Sequence, residues 1–135
     1  MIGRTAFGVL AAGACITLGF MVYAGSPDEP GWWLGFLPFG AWGVLPFAGV
    51  AWSVRIRRDG PGATLLLVGA VLLTSASTFL LYQAFVAEPD AQSGIVFVFL
   101  PVWQILAMLP FVLGAQSLRS RAARMADDGD PRTRP

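Results

Sequence analysis

The stretch GATLLLVGAVLLTSASTFLLYQAFV, residues 62–86, decides the fold of this chain. It carries no charged residue, and it exceeds the roughly 20 apolar residues that an α-helix needs to cross about 30 Å of hydrocarbon. The run does not alternate polar with apolar residues, which argues against a transmembrane β-strand. Residues 62–86 are therefore predicted to form a membrane-spanning helix.

Three further apolar segments of similar length lie at residues 5–24, 33–54 and 94–117. The four segments take up most of the 135 residues, and only 13% of the chain is charged, whereas soluble domains are about a quarter charged. The connections between segments are short, which favours antiparallel packing of sequential neighbours. The sequence predicts an all-α, polytopic membrane protein: a four-transmembrane-helix antiparallel bundle that forms one domain, residues 1–125.

The orientation in the membrane is predicted by the arginines, which are the only basic residues. They lie before the first segment, between the second and third, and after the fourth, at Arg4, Arg55, Arg57, Arg58, Arg119, Arg121, Arg124, Arg132 and Arg134. In the other two connections the charged residues are all acidic, namely Asp28, Glu29, Glu88 and Asp90. Because cytoplasmic loops carry the excess of basic residues, both termini are predicted to be cytoplasmic.

Both ends of the chain require interpretation. Val22-Tyr23-Ala24 satisfies the small-residue rule for signal-peptide cleavage before Gly25. The apolar run is longer than a usual signal peptide has, so a retained helix is expected and cleavage is the alternative. Residues 126–135 are polar and lack an apolar face, which predicts a disordered cytoplasmic tail.

Small residues follow one face of the first segment at helical spacing: Gly8, Ala12, Cys15 and Gly19. In lipid, helices associate through close packing, and a small-residue face lets two backbones approach. We expect this face to pack within the four-helix bundle. Homo- or hetero-oligomerisation through it is the alternative.

Polar residues inside the segments are predicted to share a layer in the outer half of the membrane: Thr17, Thr74, Ser77, Thr78 and Gln104. A buried amide needs partners, because an unsatisfied polar group in hydrocarbon costs several kcal/mol. Gln104 is therefore expected to face inward and to hydrogen-bond Ser77, Thr78 or Thr17. The expected role is interhelical adhesion, and a substrate or ion path is the alternative.

Missing residue types argue against several classes of function. The chain has no His, which argues against bis-histidine haem ligation and Ser-His proteolysis. It has one Cys and no intramembrane carboxylate, so transition-metal sites and carboxylate-based proton coupling are not expected. No motif resembles a nucleotide or nucleic-acid site. We expect neither an enzyme nor a bound cofactor or metal.

Three resemblances bear on the fold. The four-helix plan is similar to that of small multidrug exporters, but their glutamate in the first helix has no counterpart here. Thr74-Ser-Ala-Ser-Thr-Phe79 resembles the broken third helix of four-helix fluoride channels, but the Asn of their second helix is missing because the chain has no Asn. The stretch SGIVFVFLPVWQ, residues 93–104, resembles small, uncharacterised bacterial four-helix inner-membrane proteins. That last resemblance implies the bacterial inner membrane.

The expected function is that of a non-catalytic integral membrane protein, an accessory or interaction partner of another membrane component. The lack of reactive groups and the presence of small-residue faces favour it. The alternative is a small oligomeric channel or transporter with a path past Ser77, Thr78 and Gln104. The lipid bilayer is the surrounding partner in either case, and a second membrane protein or a second copy is expected to bind.

Overall fold

The computed structural model describes residues 1–56, 61–90 and 92–128, and every regular element in them is helical. The four α-helices are α1 (Ile2–Ala24), α2 (Trp32–Ile56), α3 (Pro61–Tyr82) and α4 (Val96–Asp128). A π-helical turn, Gln83–Ala87, extends α3, and a 3₁₀ turn, Ser93–Ile95, leads into α4. All four helices are long and apolar enough to cross a membrane. The prediction of an all-helical chain with four helices able to span a membrane is confirmed.

The fourth helix is longer than predicted. Its 33 residues span about 50 Å at 1.5 Å per residue, which exceeds the hydrocarbon core by about 20 Å. The helix continues through Asp128 and so includes residues 126–128 of the predicted tail, for which disorder stays a prediction. The rest of the predicted tail, residues 129–135, lies outside the described residues.

Two helix pairs are antiparallel. In the first pair, Gly43 of α2 lies against Thr17 of α1, while Gly25 at the end of α1 lies against Trp32 at the start of α2. In the second pair, Gly62 at the start of α3 lies against Ala115 of α4. The side chain of Ser77, further along α3, contacts Gln104, which is earlier in α4.

The order of helices around the bundle is α1, α2, α4, α3, because α1 packs on α2 and α3 while α4 packs on α3 and α2. The expectation that all sequential neighbours pack side by side is wrong for α2 and α3, which lie on a diagonal and touch only slightly. Gly13 supplies a physical reason. It has no side chain, so Phe47 of α2 and Thr74 of α3 both reach the α1 backbone at this position, and α1 packs against both helices.

The two ends of the bundle differ in packing. The first half of α1, the second half of α2 and the middle parts of α3 and α4 share one apolar core: Ala6, Leu10, Phe47, Val50, Val54, Leu66, Ala70, Leu73, Met108 and Ala115. At the opposite end, the last residues of α1, the π-helical turn after α3 and the first residues of α2 and α4 line a common cleft. The apolar core therefore lies toward the arginine-bearing segments, at what is called the closed end below, and the cleft lies toward the acidic connections, at what is called the open end.

The buried face of α1 is not the predicted small-residue face. The helix buries Ala6, Leu10, Gly13, Thr17 and Met21. The predicted face, Gly8, Ala12, Cys15 and Gly19, is displaced from that set by two residues, which is about 200° around a helix. It is exposed on the surface of the bundle, and a Cβ on Gly8 or Gly19 would meet no atom within 4 Å. The expectation that this face packs the bundle is wrong.

Candidate functional site

The polar residues of α3 contact two different neighbouring helices. Thr74 Oγ1 donates a hydrogen bond to the Val9 carbonyl oxygen of α1 at 3.3 Å. Ser77 is three residues further along, about 60° around the helix axis, and its side chain meets α4 instead. Gly13 permits the first of these contacts, because a Cβ there would lie 2.7 Å from the Thr74 hydroxyl oxygen.

Ser77 and Gln104 form the one direct side-chain hydrogen bond among the five predicted polar-layer residues, all of which the structure describes. Gln104 Nε2 donates to Ser77 Oγ at 2.6 Å, and each residue is 3% exposed. The serine hydroxyl donates in turn to the Leu73 carbonyl oxygen at 2.6 Å. The expected inward-facing amide with a serine partner is therefore present between α3 and α4.

The same amide carries an unsatisfied group. Gln104 Oε1 is buried and has no hydrogen-bond partner among the described residues. Leaving such an acceptor unpaired away from water costs about 1–3 kcal/mol. The Gln104 side chain therefore combines one short interhelical bond with one destabilising oxygen.

The other two predicted residues stand apart from this pair. Thr17 is buried, and its hydroxyl donates to the Gly13 carbonyl oxygen of its own helix at 3.0 Å. Its methyl group contacts Gly43 of α2. Thr78 is half-buried. The five residues of the predicted layer therefore do not share one hydrogen-bond network: Thr17, Thr74 and the Ser77–Gln104 pair each bond to different partners.

A cleft at the open end of the bundle was not predicted. Its volume is 640 Å³, and all four helical segments contribute to it. Its lining residues are mostly apolar or aromatic and include Met21, Tyr23, Trp32, Phe36, Phe39, Phe85, Asp90, Ser93, Phe97 and Val98. Asp90 is the one charged residue among the described residues that line it.

Aromatic rings form two walls of this cleft. On α2, the ring centroids of Trp32 and Phe36 lie 4.8 Å apart. In a second pair, Phe85 of the π-helical turn stacks on Phe97 of α4, with centroids 4.9 Å apart and ring planes at 25°. The π-helical turn, which is wider than an α-helical turn, thus carries an aromatic residue into the cleft.

Backbone and indole hydrogen bonds hold the rim. Trp33 Nε1 donates to the Pro27 carbonyl oxygen at 3.0 Å, which ties the first connection to α2. Across the cleft, the Asp90 backbone N–H donates to Ser93 Oγ, and the Ser93 N–H donates to the Asp90 carbonyl oxygen, both at 3.0 Å. Gly25 is required at the rim, because a Cβ there would overlap the Trp32 indole.

A sequence signal for the cleft exists. Trp32, Phe36 and Phe39 occur at i, i+4 and i+7, so they share one face of the first two turns of α2. The second wall has no such signal, because Phe85 and Phe97 come from different elements. Their stacking depends on the π-helical turn and on the pairing of α3 with α4.

No cluster of three or more His, Cys, Asp or Glu residues able to hold a metal ion occurs in the part of the chain that the structure describes. Comparisons of this chain with protein-family models, with curated proteins and with solved structures found no match.

Proposed function

We propose that this chain is a non-catalytic accessory protein of the bacterial inner membrane, which binds another membrane component through the outward face of α1. The observation that supports this proposal is the exposure of Gly8, Ala12, Cys15 and Gly19 on the side of α1 opposite the bundle. These four residues are called the outward α1 face below.

A face of small residues favours binding of another helix because of the way helices associate in lipid. Lipid tails are as apolar as leucine, so helices associate through close van der Waals packing, which small residues permit. A Cβ on Gly8 or on Gly19 would meet open space, so a neighbouring helix can approach the α1 backbone along three turns. The occupant is a transmembrane helix of another protein or of a second copy of this chain.

The proposed orientation has both termini in the cytoplasm. Arg4 and Arg55 lie at the closed end of the bundle, and the last turns of α4 carry Arg119, Arg121 and Arg124. This arrangement supports insertion with the cleft on the outer side of the membrane. In this proposed orientation the projecting part of α4 lies against anionic headgroups, where each arginine contributes about 1 kcal/mol.

The channel alternative is less well supported by the geometry. Ser77 and Gln104, which were to line the path, are 3% exposed and lie between α3 and α4 of a single chain. A path between protomers of an oligomer would therefore not reach either side chain.

Photocrosslinking from position 7 tests the proposal, because Phe7 is 56% exposed and lies next to Gly8, at the edge of the outward α1 face. Replacement of Phe7 by p-benzoylphenylalanine keeps an aromatic side chain there and leaves the four small residues unchanged, and irradiation in native membranes is expected to give one adduct of defined mass. The substitution Ala12→Ile on the same face is expected to abolish that adduct.

Two controls decide the outcome. The same replacement of Phe99, which is 54% exposed on α4, is expected to give no adduct. Ala107→Ile, at another exposed position of α4, is the matched steric control for Ala12→Ile and is expected to leave the adduct from position 7 intact. A probe at position 7 that crosslinks only to lipid would refute the proposal, as would an adduct that survives Ala12→Ile.

A further inference from the structure

The geometry points to the cleft as a binding site for a lipophilic organic cation, that is, an apolar or aromatic body that carries one permanent positive charge. Three features of the cleft specify this ligand class: its size, its aromatic walls and the sign of the charge at its rim. The inference does not depend on the proposed accessory function, because the cleft and the outward α1 face share no residue.

The volume and the lining residues of the cleft fit a ligand with an apolar body. Small-molecule sites have volumes of about 300–1,000 Å³ and are lined mainly by apolar and aromatic side chains with a few polar groups. The cleft has a volume of 640 Å³ and matches this description. The paired rings of Trp32 with Phe36 and of Phe85 with Phe97 all line the cleft, and they offer aromatic surface to a flat or propeller-shaped body.

The negative charge at this end of the bundle favours a cation as the ligand. The Asp90 carboxylate is exposed at the rim, and the other carboxylates of the two connections at this end are Asp28, Glu29 and Glu88. The sequence has no arginine or lysine in residues 5–54 or 59–118, which include every residue at this end. An anion would meet repulsion that no positive side chain at this end compensates, whereas a cation gains from the carboxylate and from the aromatic rings, which attract positive charge through their quadrupoles.

The rim is already in place before a ligand binds. The Trp33 indole holds the first connection at Pro27, and reciprocal bonds between Asp90 and Ser93 hold the second. A preformed site loses little conformational entropy on binding. Binding therefore does not require either connection to refold.

Isothermal titration of the purified full-length protein in maltoside micelles tests the inference, with tetraphenylphosphonium as the probe. We expect saturable binding at one site per chain. Asp90→Asn is expected to weaken the affinity about tenfold, the loss of roughly one exposed charge contact. Phe36→Leu keeps an apolar wall but removes the ring, and it is expected to weaken the affinity about threefold.

Two comparisons make the test specific. Asp28→Asn removes the same charge from the same end of the bundle but outside the cleft lining, and it is expected to leave the affinity unchanged. Tetraphenylborate has the shape of the probe and the opposite charge, and it is expected to bind no more than it does to empty micelles. The inference is overturned by equal weakening in Asp28→Asn and Asp90→Asn, by binding of the borate, or by non-saturable uptake of the phosphonium.

Discussion

Gln104 depends on its hydrogen bond with Ser77 more than Ser77 does. The Gln104 amide donates to the serine oxygen at 2.6 Å, and the serine hydroxyl donates onward to the Leu73 carbonyl oxygen, also at 2.6 Å. Without Gln104, the hydroxyl keeps its bond to Leu73. Without Ser77, the buried amide has no hydrogen-bond partner among the described residues, because its Oε1 is unpaired already.

This inequality predicts different costs for the two substitutions. Ser77→Ala leaves the whole amide buried and unpaired, and it is expected to lower the free energy of unfolding by about 2 kcal/mol. Gln104→Met keeps the length of the side chain and removes the unpaired oxygen together with the bond, so it is expected to change stability by less than about 1 kcal/mol. Unfolding by SDS titration from maltoside micelles, followed by circular dichroism, measures both.

The double variant Ser77→Ala with Gln104→Met is the control. Because no amide is left to be buried unpaired, it is expected to be more stable than Ser77→Ala alone. A Gln104→Met variant as unstable as Ser77→Ala would show that the bond itself outweighs the unpaired oxygen.

Two glycines of α1 give a second, matched prediction. Alanine in place of glycine within a helix gains about 0.5–1 kcal/mol from backbone entropy. At Gly8 the new methyl group meets open space, so Gly8→Ala is expected to raise stability by that amount. At Gly13 the methyl group would overlap the Phe47 ring and the Thr74 hydroxyl, and overpacking costs about 1–3 kcal/mol. Gly13→Ala is therefore expected to be the less stable variant by about 2 kcal/mol in the same SDS titration; equal stability of the two would contradict the assigned α1 interface.

The sequence predicts the number of helices and most of their bounds. A long uncharged run in lipid must satisfy its own backbone hydrogen bonds, and it does so by forming a helix. It did not predict which face of α1 is buried. Two sets of residues, one starting at Ala6 and one at Gly8, have nearly the same spacing, and both include small residues. Small size favours close packing equally within the bundle and between chains, so composition does not distinguish the two faces.

The candidate site was only partly predictable for a similar reason. Burial of Gln104 follows from the cost of an unpaired amide in hydrocarbon, and serine neighbours on α3 supply a partner. The single polar layer did not follow, because equal depth does not place residues on facing sides of their helices. Thr17 meets α2, whereas Thr74 meets α1. The cleft depends on a π-helical turn that no residue pattern of Gln83–Ala87 indicates.

Membrane orientation gives a third prediction. Alkaline phosphatase is active only outside the cytoplasm, so its fusion after Pro30 is expected to be active and its fusion after Arg124 inactive. The expected reason is that arginines flank the closed end of the bundle and carboxylates the open end. A fluorescent-protein fusion at the same two sites should give the reverse pattern, and an inactive Pro30 phosphatase fusion would overturn the orientation.

Retention of α1 is the fourth prediction. Cleavage before Gly25 would remove Ala6 and Leu10 from the core and uncover Phe47, which is 2% exposed in the intact bundle. It would also remove the Val9 carbonyl that accepts from Thr74. Loss of one large buried contact costs several kcal/mol, so the remaining three helices are not expected to keep this packing. Mass spectrometry of the membrane-extracted protein is expected to detect a peptide that spans the Ala24–Gly25 bond. A mature chain that begins at Gly25 and still melts cooperatively would show that α1 is dispensable to the fold.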